Sequence, residues 1–369
     1  SQDPAQLHIN GEKMKAPADL RAVIRKLVAR SNLSDHEVAE AVDAILEGSA
    51  GDAQLAAFLV ALSMKGETAD EIKGVLEAIR RHATRIAPAV SRPIIDTCGT
   101  GGDSIRSFNI STAAAIVASA AGACVAKHGN RSVSGLCGSA DFLEYVGLDL
   151  DASPAKVQSC IESVGIGFLF APKFHPAMKN VANVRKMLGI RTVFNMVGPL
   201  SNPCTNLSGQ VIGVFEPSLL EVFAEVCQGY VKEAMIVHAA DGFDELSNTC
   251  ENDVLWLTGD GQTKRLRLHP RVLGVSVGKP EHLVVSSKED SIRSTLQAIY
   301  GKAPAEKQDM VVLNAAAALV VGKVCPDLKQ GVSTARDAIT SGKAREKLQS
   351  LIRFCGNEGR LEEAEKKFL

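Results

Sequence analysis

A chain of 369 residues, 46% hydrophobic and 22% charged, is long enough to bury a full core without staples, as an ordinary water-soluble globular protein does. Its formal net charge of −1 gives no general pull on nucleic acid or acidic membrane, so any anion site must be local. Nine scattered cysteines without a C-x-x-C pair argue against structural zinc and a disulfide framework, and no transmembrane-length run or signal-peptide pattern is present, so a cytoplasmic enzyme is expected.

From about Ala18 to His82 the chain reads as consecutive helices. Ser34-Asp35-His36-Glu37 and Thr68-Ala69-Asp70-Glu71 are capping-box patterns, each followed by apolar residues at helical spacing. Between them Asp52 is expected to cap a helix that carries Leu55, Phe58, Leu59 and Leu62 on one face and ends at Gly66. No chemistry is visible in this stretch, which reads as a small helical packing domain.

Near Ala87–Ser91 the helical repeat gives way to alternating strands and helices. Pro93-Ile94-Ile95-Asp96 is a short buried strand, followed by Thr97-Cys98-Gly99-Thr100-Gly101-Gly102-Asp103. Asn109-Ile110-Ser111-Thr112 then leads into an alanine-rich helix, Ala113–Ala121, stopped by Gly122. A second strand, Cys124-Val125-Ala126, ends in Lys127-His128-Gly129-Asn130-Arg131-Ser132. This is a βαβ unit with both loops at the carboxyl ends of strands, where ligands gather in open α/β sheets. Glycines let a ligand lie against bare backbone N–H groups, and those groups with a helix N-terminus favour phosphate. The spacing is neither the dinucleotide fingerprint nor a P-loop. By itself the glycine loop is equally consistent with a plain turn; the second loop, basic and serine-rich, favours a phosphate site.

Further along, Ser139 is expected to cap a helix over Ala140–Val146, and Ser153-Pro154 to open another. Gly165–Phe170 reads as a strand, and Pro176 as the start of a helix carrying Lys179, Arg185 and Lys186. Gln210–Phe215, Ala234–His238 and Val254–Leu257 are strand candidates, with a helix over Leu219–Cys227. Met310–Val321 and Val332–Ser341 read as helices. The alternation predicts a largely parallel sheet covered by helices.

Taken together, these motifs resemble the anthranilate phosphoribosyltransferase family of tryptophan biosynthesis. The resemblance rests on Gly99–Asp103, Asn109–Thr112, Lys127–Ser134 running into Gly138–Asp141, Phe174–Lys179, Val184-Arg185, Arg191–Asn195, Gly198–Pro203 and Asp241–Ser247, in order along most of the chain. It implies an α/β fold like those of nucleoside phosphorylases and phosphoribosyltransferases. A small N-terminal helical domain (1–90, joined by the helical stretch at about 175–188) would pair with a large α/β domain with a mostly parallel sheet (91–369). The substrates implied are phosphoribosyl pyrophosphate and anthranilate, and the N-terminal helices would form a homodimer interface.

The resemblance also assigns residues. Gly99, Thr100, Gly101, Gly102, Asp103, Ser107, Asn109, Ile110, Ser111, Thr112, Lys127, His128, Gly129, Asn130, Arg131, Ser132, Val133, Ser134, Gly135 and Ser139 would bind phosphoribosyl pyrophosphate. Gly99, Asn130 and Arg185 would touch anthranilate, the arginine gripping its carboxylate. Ser111, Asp244 and Glu245 would hold two Mg²⁺ ions. Adjacent carboxylates such as Asp244-Glu245 are usually solvated charges, yet pyrophosphate calls for a hard cation of this kind. His128 and His175 would line the neighbourhood, the first bracing a loop or the second capping the helix begun by Pro176. No general acid or base is assigned.

Leu136-Cys137 and Ala239 depart from the commonest family residues, which leaves open how tightly the phosphate loop closes. Two other readings compete: an enzyme like pyrimidine nucleoside phosphorylase, which needs no Asp-Glu metal pair, and a non-catalytic nucleic-acid-binding relative, which would show a basic surface.

Overall fold

Four helices open the chain: α1 (Leu20–Val28), α2 (Asp35–Leu46), α3 (Asp52–Lys65) and α4 (Ala69–Arg81). The computed structural model describes residues 20–101, 106–132 and 136–369. Both expected capping boxes form: Ser34 Oγ accepts from Glu37 N–H at 3.2 Å, and Thr68 Oγ1 from Glu71 N–H at 3.2 Å. Asp52 is not a cap. It is the first helical residue of α3, and Gly51 takes the cap position, its N–H donating to Gln54 Oε1 at 3.4 Å. Gly66 ends α3 as expected.

The strands β1 (Ile94–Gly99), β2 (Cys124–Gly129), β3 (Ile166–Phe170), β4 (Leu207–Gly213), β5 (Glu233–Ala239), β6 (Asn252–Leu257) and β7 (Thr263–Leu268) form one sheet in the order β3-β2-β1-β4-β5-β6-β7. β1 to β5 run parallel, β6 is antiparallel to β5, and β7, antiparallel to β6, resumes the direction of the others. β7 was not anticipated. Its sequence, Thr-Lys-Arg-Leu-Arg-Leu, is an exposed edge strand without a buried face, and its charges blunt edge-to-edge association. The chain winds outwards from β1 through β2 to β3, then restarts at β4 on the other side of β1. The switch in direction between β1 and β4 opens a crevice at their carboxyl ends.

The remaining helices are α5 (Ile110–Ala120), α6 (Ser139–Tyr145), α7 (Pro154–Val164), α8 (Ala171–Phe174), α9 (Lys179–Leu188), α10 (Val193–Val197), α11 (Leu219–Gln228) and α12 (Pro280–Leu283). They are followed by α13 (Lys288–Ile299), α14 (Ala305–Val321), α15 (Leu328–Thr340), α16 (Lys343–Cys355) and α17 (Glu358–Phe368). α5 begins at Ile110, earlier than expected, which puts Ser111 and Thr112 in its first turn. α6 begins one residue early, on Ser139 itself, with Gly138 as the cap, because the Ser139 hydroxyl donates to the Asn130 carbonyl instead. A 3₁₀ turn over Pro176–Met178 precedes α9.

Alternate strand residues feed two cores. Ile95, Val125, Val211, Met235 and Val237 pack with α5 and α14 on one face. Ile94, Cys124, Ala126, Ile212, Ala234 and Ile236 face the other way and join a core shared with α1–α4 and α9–α11. α9 lies against α2 and α3, and α10 against α3 and α4. The helical bundle is therefore seated directly on the sheet. Among the described residues no helix is long and apolar enough to cross a membrane.

Candidate active site

The glycine loop sits at the switch point. Thr100 N–H donates to the Gly213 carbonyl at the end of β4 (2.9 Å), and Thr100 Oγ1 accepts from Phe215 N–H at 3.2 Å. Gly101 has φ +68°, the left-handed conformation that its place in the loop requires. Its N–H donates to Asp244 Oδ2 at 2.7 Å. Gly99 is glycine for a second reason: a Cβ there would lie 2.3 Å from that same oxygen. The two predicted features, glycine loop and acidic turn, are thus one assembly. Gly102 and Asp103 lie outside the described residues.

Asp244 is buried and Glu245 half-buried beside it. Burial pushes the Asp244 carboxyl above its ordinary pKa, opposed by the Gly101 N–H and by the charge of Arg191. The turn is held from below by residues that carried no motif. Asn314 on α14 accepts from Leu246 N–H (2.9 Å) and donates to the Leu246 carbonyl (2.8 Å). Asn252 on β6 does the same for Ser247, at 2.7 and 2.8 Å. Every residue of α14 from Asp309 to Val321 is buried, so one asparagine in that apolar run was a legible signal of a polar partner.

The second loop is anchored through β2. Lys127 is 3% exposed; its Nζ donates to the Thr97 carbonyl at 2.6 Å and to Ser111 Oγ at 3.4 Å. No carboxylate lies within salt-bridge distance among the described residues, and the nearest compensating charge is the buried Asp96. Thr97 Oγ1 donates to the Ser111 carbonyl (3.0 Å), tying β1 to the first turn of α5. The fully buried Asp96 links the loops: it accepts from Thr97 N–H (2.8 Å), His128 N–H (3.2 Å) and Asn202 Nδ2 (2.9 Å). Burial raises its pKa against the pull of Lys127 and these donors. A lone Asp closing an apolar strand run was the available hint.

Other expected residues fall into place unevenly. Thr112 is buried in α5 with its hydroxyl unpartnered. Asn109 turns its amide towards Cys137 Sγ and Ser291 Oγ, both at 3.4 Å. Ile110 is buried, and Ser107 forms a β-bridge with Val284. Gly129 lies against Ser139 and Phe168, and Asn130 is exposed. Arg131 points to Glu144, pairing through both terminal nitrogens at 2.7 and 2.8 Å. Asp141 Oδ2 closes the loop by accepting from Ser132 and Gly138 N–H, at 3.1 and 2.9 Å. Val133, Ser134 and Gly135 lie outside the described residues. Leu136 and Cys137 are half-buried against the core of the α5 face.

His128 and His175 meet edge to face, ring centroids 5.1 Å apart, and join the end of β2 to the root of α9. Burial lowers the pKa of both, that of His175 to about 4. His175 occupies a cap position without capping: both its ring nitrogens are buried and unpartnered. Arg185 lies two turns further along α9. Its guanidinium is half-buried, stands 5.5 Å over the Phe194 ring, and meets no carboxylate among the described residues. Burial lowers its pKa.

Comparison with known proteins fits this arrangement. The model of the glycosyl transferase family a/b domain matches residues 91–345, and that of the family's helical bundle domain matches residues 21–83. An anthranilate phosphoribosyltransferase of Acetivibrio thermocellus is 46% identical over 339 residues, covering 92% of this chain and 97% of that protein. The chain belongs to the anthranilate phosphoribosyltransferase family. The crystal structure of the anthranilate phosphoribosyltransferase from Thermus thermophilus superposes with a TM-score of 0.84 at 38% identity, covering 90% of this chain and 98% of that one. The Saccharomyces cerevisiae anthranilate phosphoribosyltransferase, solved in complex with PRPP and Mg, gives a TM-score of 0.83 at 26% identity, with coverage of 92% and 98%.

The residues present fit a magnesium ion. Asp244, Glu245 and Ser111 are hard oxygen donors, and the Asp244 carboxyl is buried. Mg²⁺ keeps waters and completes its shell with substrate phosphates, so few protein oxygens suffice.

Proposed function

We propose that the crevice at the carboxyl ends of β1, β2 and β4 is where the family's reaction takes place in this chain. The phosphoribosyl group of 5-phosphoribosyl-1-pyrophosphate is transferred to the amine of anthranilate, giving N-(5-phosphoribosyl)anthranilate and pyrophosphate, in the presence of Mg²⁺. The observation that carries this reading is Lys127: a buried ammonium with no carboxylate within salt-bridge distance among the described residues, held between the glycine loop and the first turn of α5 and offset only by the charge of Asp96 beneath. It answers a polyanion. The Asp244–Glu245 turn across the glycine loop answers the cation that travels with one.

The nitrogen lone pair of anthranilate forms the N–C1 bond while the C1–O bond breaks, its electron pair leaving with pyrophosphate and one amine proton being lost. Gly99 to Asp103 would line the pyrophosphate, the Thr100 and Gly101 N–H groups being engaged by the Gly213 carbonyl and Asp244 in this structure, with Ser107, Asn109 to Thr112 and Lys127 beside them, and Lys127 to Gly135 with Ser139 would form the second phosphate loop. Arg131 pairs its side chain with Glu144 and donates its N–H to Asn130 Oδ1 at 2.7 Å, so its part in the loop is to hold the loop's shape. Asp244, Glu245 and Ser111 would hold two Mg²⁺ ions, which supply charge neutralisation to the leaving group. Arg185 presents a planar fork to the anthranilate carboxylate, with Gly99 and Asn130 bordering the ring. An aniline-type amine is largely neutral at pH 7, so no side chain is assigned as general acid or base.

The chain works as two domains, residues 1–90 with the helical stretch near 175–188, and residues 91–369. It acts as a homodimer joined through the N-terminal helices, in the cytoplasm. The names of the curated relatives favour this reading over a nucleoside phosphorylase or a nucleic-acid-binding relative. The deciding experiment follows anthranilate fluorescence. Its loss should require phosphoribosyl pyrophosphate and Mg²⁺ together, and a protein that leaves anthranilate unconsumed under those conditions overturns the assignment.

A further inference from the structure

A cavity of about 560 Å³ lies on the opposite side of the molecule from the phosphate loops, between α4 and the amino-terminal end of β4. Here the segment after α4 crosses from the helical bundle to the sheet: Ile86 bridges Cys204, Ile86 N–H donates to the Pro203 carbonyl, and Thr205 N–H to the Ile86 carbonyl. Leu76 and Leu207 give the cavity apolar walls, and Arg80, Arg85, Tyr230 and Asn202 its polar ones.

The charges in it are unequal. Lys73 and Arg81 also face the cavity, but Lys73 is paired with Asp70 and Glu225, and Arg81 with Asp43 and Glu77. Arg80 and Arg85 have no carboxylate among the described residues. Arg85 donates to the Arg80 carbonyl. The Arg80 guanidinium lies 3.4 Å over the Tyr230 ring, donates to the Leu200 carbonyl at 3.0 Å and interacts with the buried Tyr230 hydroxyl, while its buried Nε has no hydrogen-bond partner among the described residues. A guanidinium pinned on an aromatic face with donors to spare is an oxyanion receptor. The volume suits a small organic molecule.

We propose that this cavity binds a small organic oxyanion, a carboxylate or phosphate with an apolar body, headed on Arg80 and Arg85, and that its occupancy tunes phosphoribosyl pyrophosphate binding. The connection is on the page. Asn202 lines the cavity and donates to Asp96 Oδ2, and Asp96 in turn accepts from His128 N–H and Thr97 N–H in the two phosphate-loop strands. Arg80 holds Leu200, two residues from Asn202. An anion drawing Arg80 inwards loads the hinge from which that network hangs.

Calorimetric titration of the Arg185→Ala protein, which has lost the proposed carboxylate clamp of the active site, tests the idea with benzoate, phenyl phosphate and neutral benzamide. One of the two anions should bind at one site per chain and benzamide at least tenfold more weakly; the tighter anion names the head group. Adding Arg80→Gln should weaken that binding at least tenfold. Adding Arg85→Gln, at an exposed position that spares the fold, should weaken it several-fold. The bound anion should shift the dissociation constant of phosphoribosyl pyrophosphate at least threefold, and the Arg80→Gln background should abolish the shift. The site is overturned if neither anion binds, if benzamide binds as well as they do, or if both arginine variants bind unchanged. Binding without any shift overturns the coupling.

Discussion

Lys65 and Lys127 are both buried lysines, and their surroundings differ in one respect that separates scaffold from site. Lys65, in the helical bundle, places all three donors: on Asn32 Oδ1 (3.0 Å), the Gly66 carbonyl (2.7 Å) and Glu71 Oε2 (2.8 Å). Glu71 is itself fully buried and also accepts from Leu33 and Thr68 N–H, both at 2.9 Å. Charge and hydrogen bonds close on themselves. Among the described residues Lys127 donates only to neutral oxygens, and its charge is met through space by Asp96 and not by a direct ion pair. A closed pair stabilises a fold; an open charge, which costs desolvation, is justified by a ligand that arrives later.

The sharpest way to test the open half of the comparison is at its acidic counterpart. Replacing Asp244 and Glu245 together with Asn and Gln should lower turnover by at least about 10²- to 10³-fold, the scale of losing preorganised electrostatic stabilisation. Steady-state assays across a Mg²⁺ series would check it, and near-normal rates at ordinary Mg²⁺ would refute the metal role.

The lysines themselves can be exchanged for Met. Lys65→Met leaves Glu71 as a buried charge without its ion, and should cost about 3–5 kcal/mol in urea unfolding while leaving the KM for phosphoribosyl pyrophosphate unchanged. Lys127→Met should act mainly on binding: a smaller loss of stability, since Asp96 keeps its three hydrogen-bond donors, and a KM for phosphoribosyl pyrophosphate raised about 10- to 100-fold, from a lost charged hydrogen bond of about 1.5–3 kcal/mol. Equal effects of the two variants on stability would erase the distinction.

Arg185 is another cation without a carboxylate beside it among the described residues. Arg185→Ala should raise the KM for anthranilate about 30- to 1,000-fold, or 2–4 kcal/mol, with phosphoribosyl pyrophosphate binding nearly intact. Lysine should rescue only in part, because it lacks the planar fork. The opposite substrate pattern would move this residue to the phosphate side.

The smallest expected effect concerns pH. His175 titrates near 6.5 when unfolded and at about 4 when folded, so between those values the unfolded chain binds a proton that the native one refuses. Its contribution is present above pH 6.5 and is lost as pH falls towards 4, by at most about 1.4 kcal/mol per pH unit. His128 is shifted in the same direction. Urea midpoints at pH 7 and pH 5 should therefore converge in His175→Gln; an undiminished acid loss would assign it to other groups.

Much of this molecule was legible before folding was considered. Capping boxes at Ser34 and Thr68 and the alternation of strand and helix are local patterns, and local chemistry determines them. Where local signals were ambiguous the reading slipped by a residue, as at Asp52 and Ser139, since neighbouring small or polar residues compete for one cap. β7 carries too few apolar residues to declare itself, whereas α13 and α16 do carry them at helical spacing (Ile292, Leu296, Ile299; Leu348, Leu351, Ile352, Cys355) and were legible signals left unread. What only the tertiary structure decided is which groups share one space. Asp96 beneath both loops, Asn314 under the acidic turn, Arg131 turned away to Glu144 and the edge-to-face histidines all depend on partners distant in sequence. The physical reason is burial: a polar group removed from water must find its partner wherever packing places one, and no local pattern records that address.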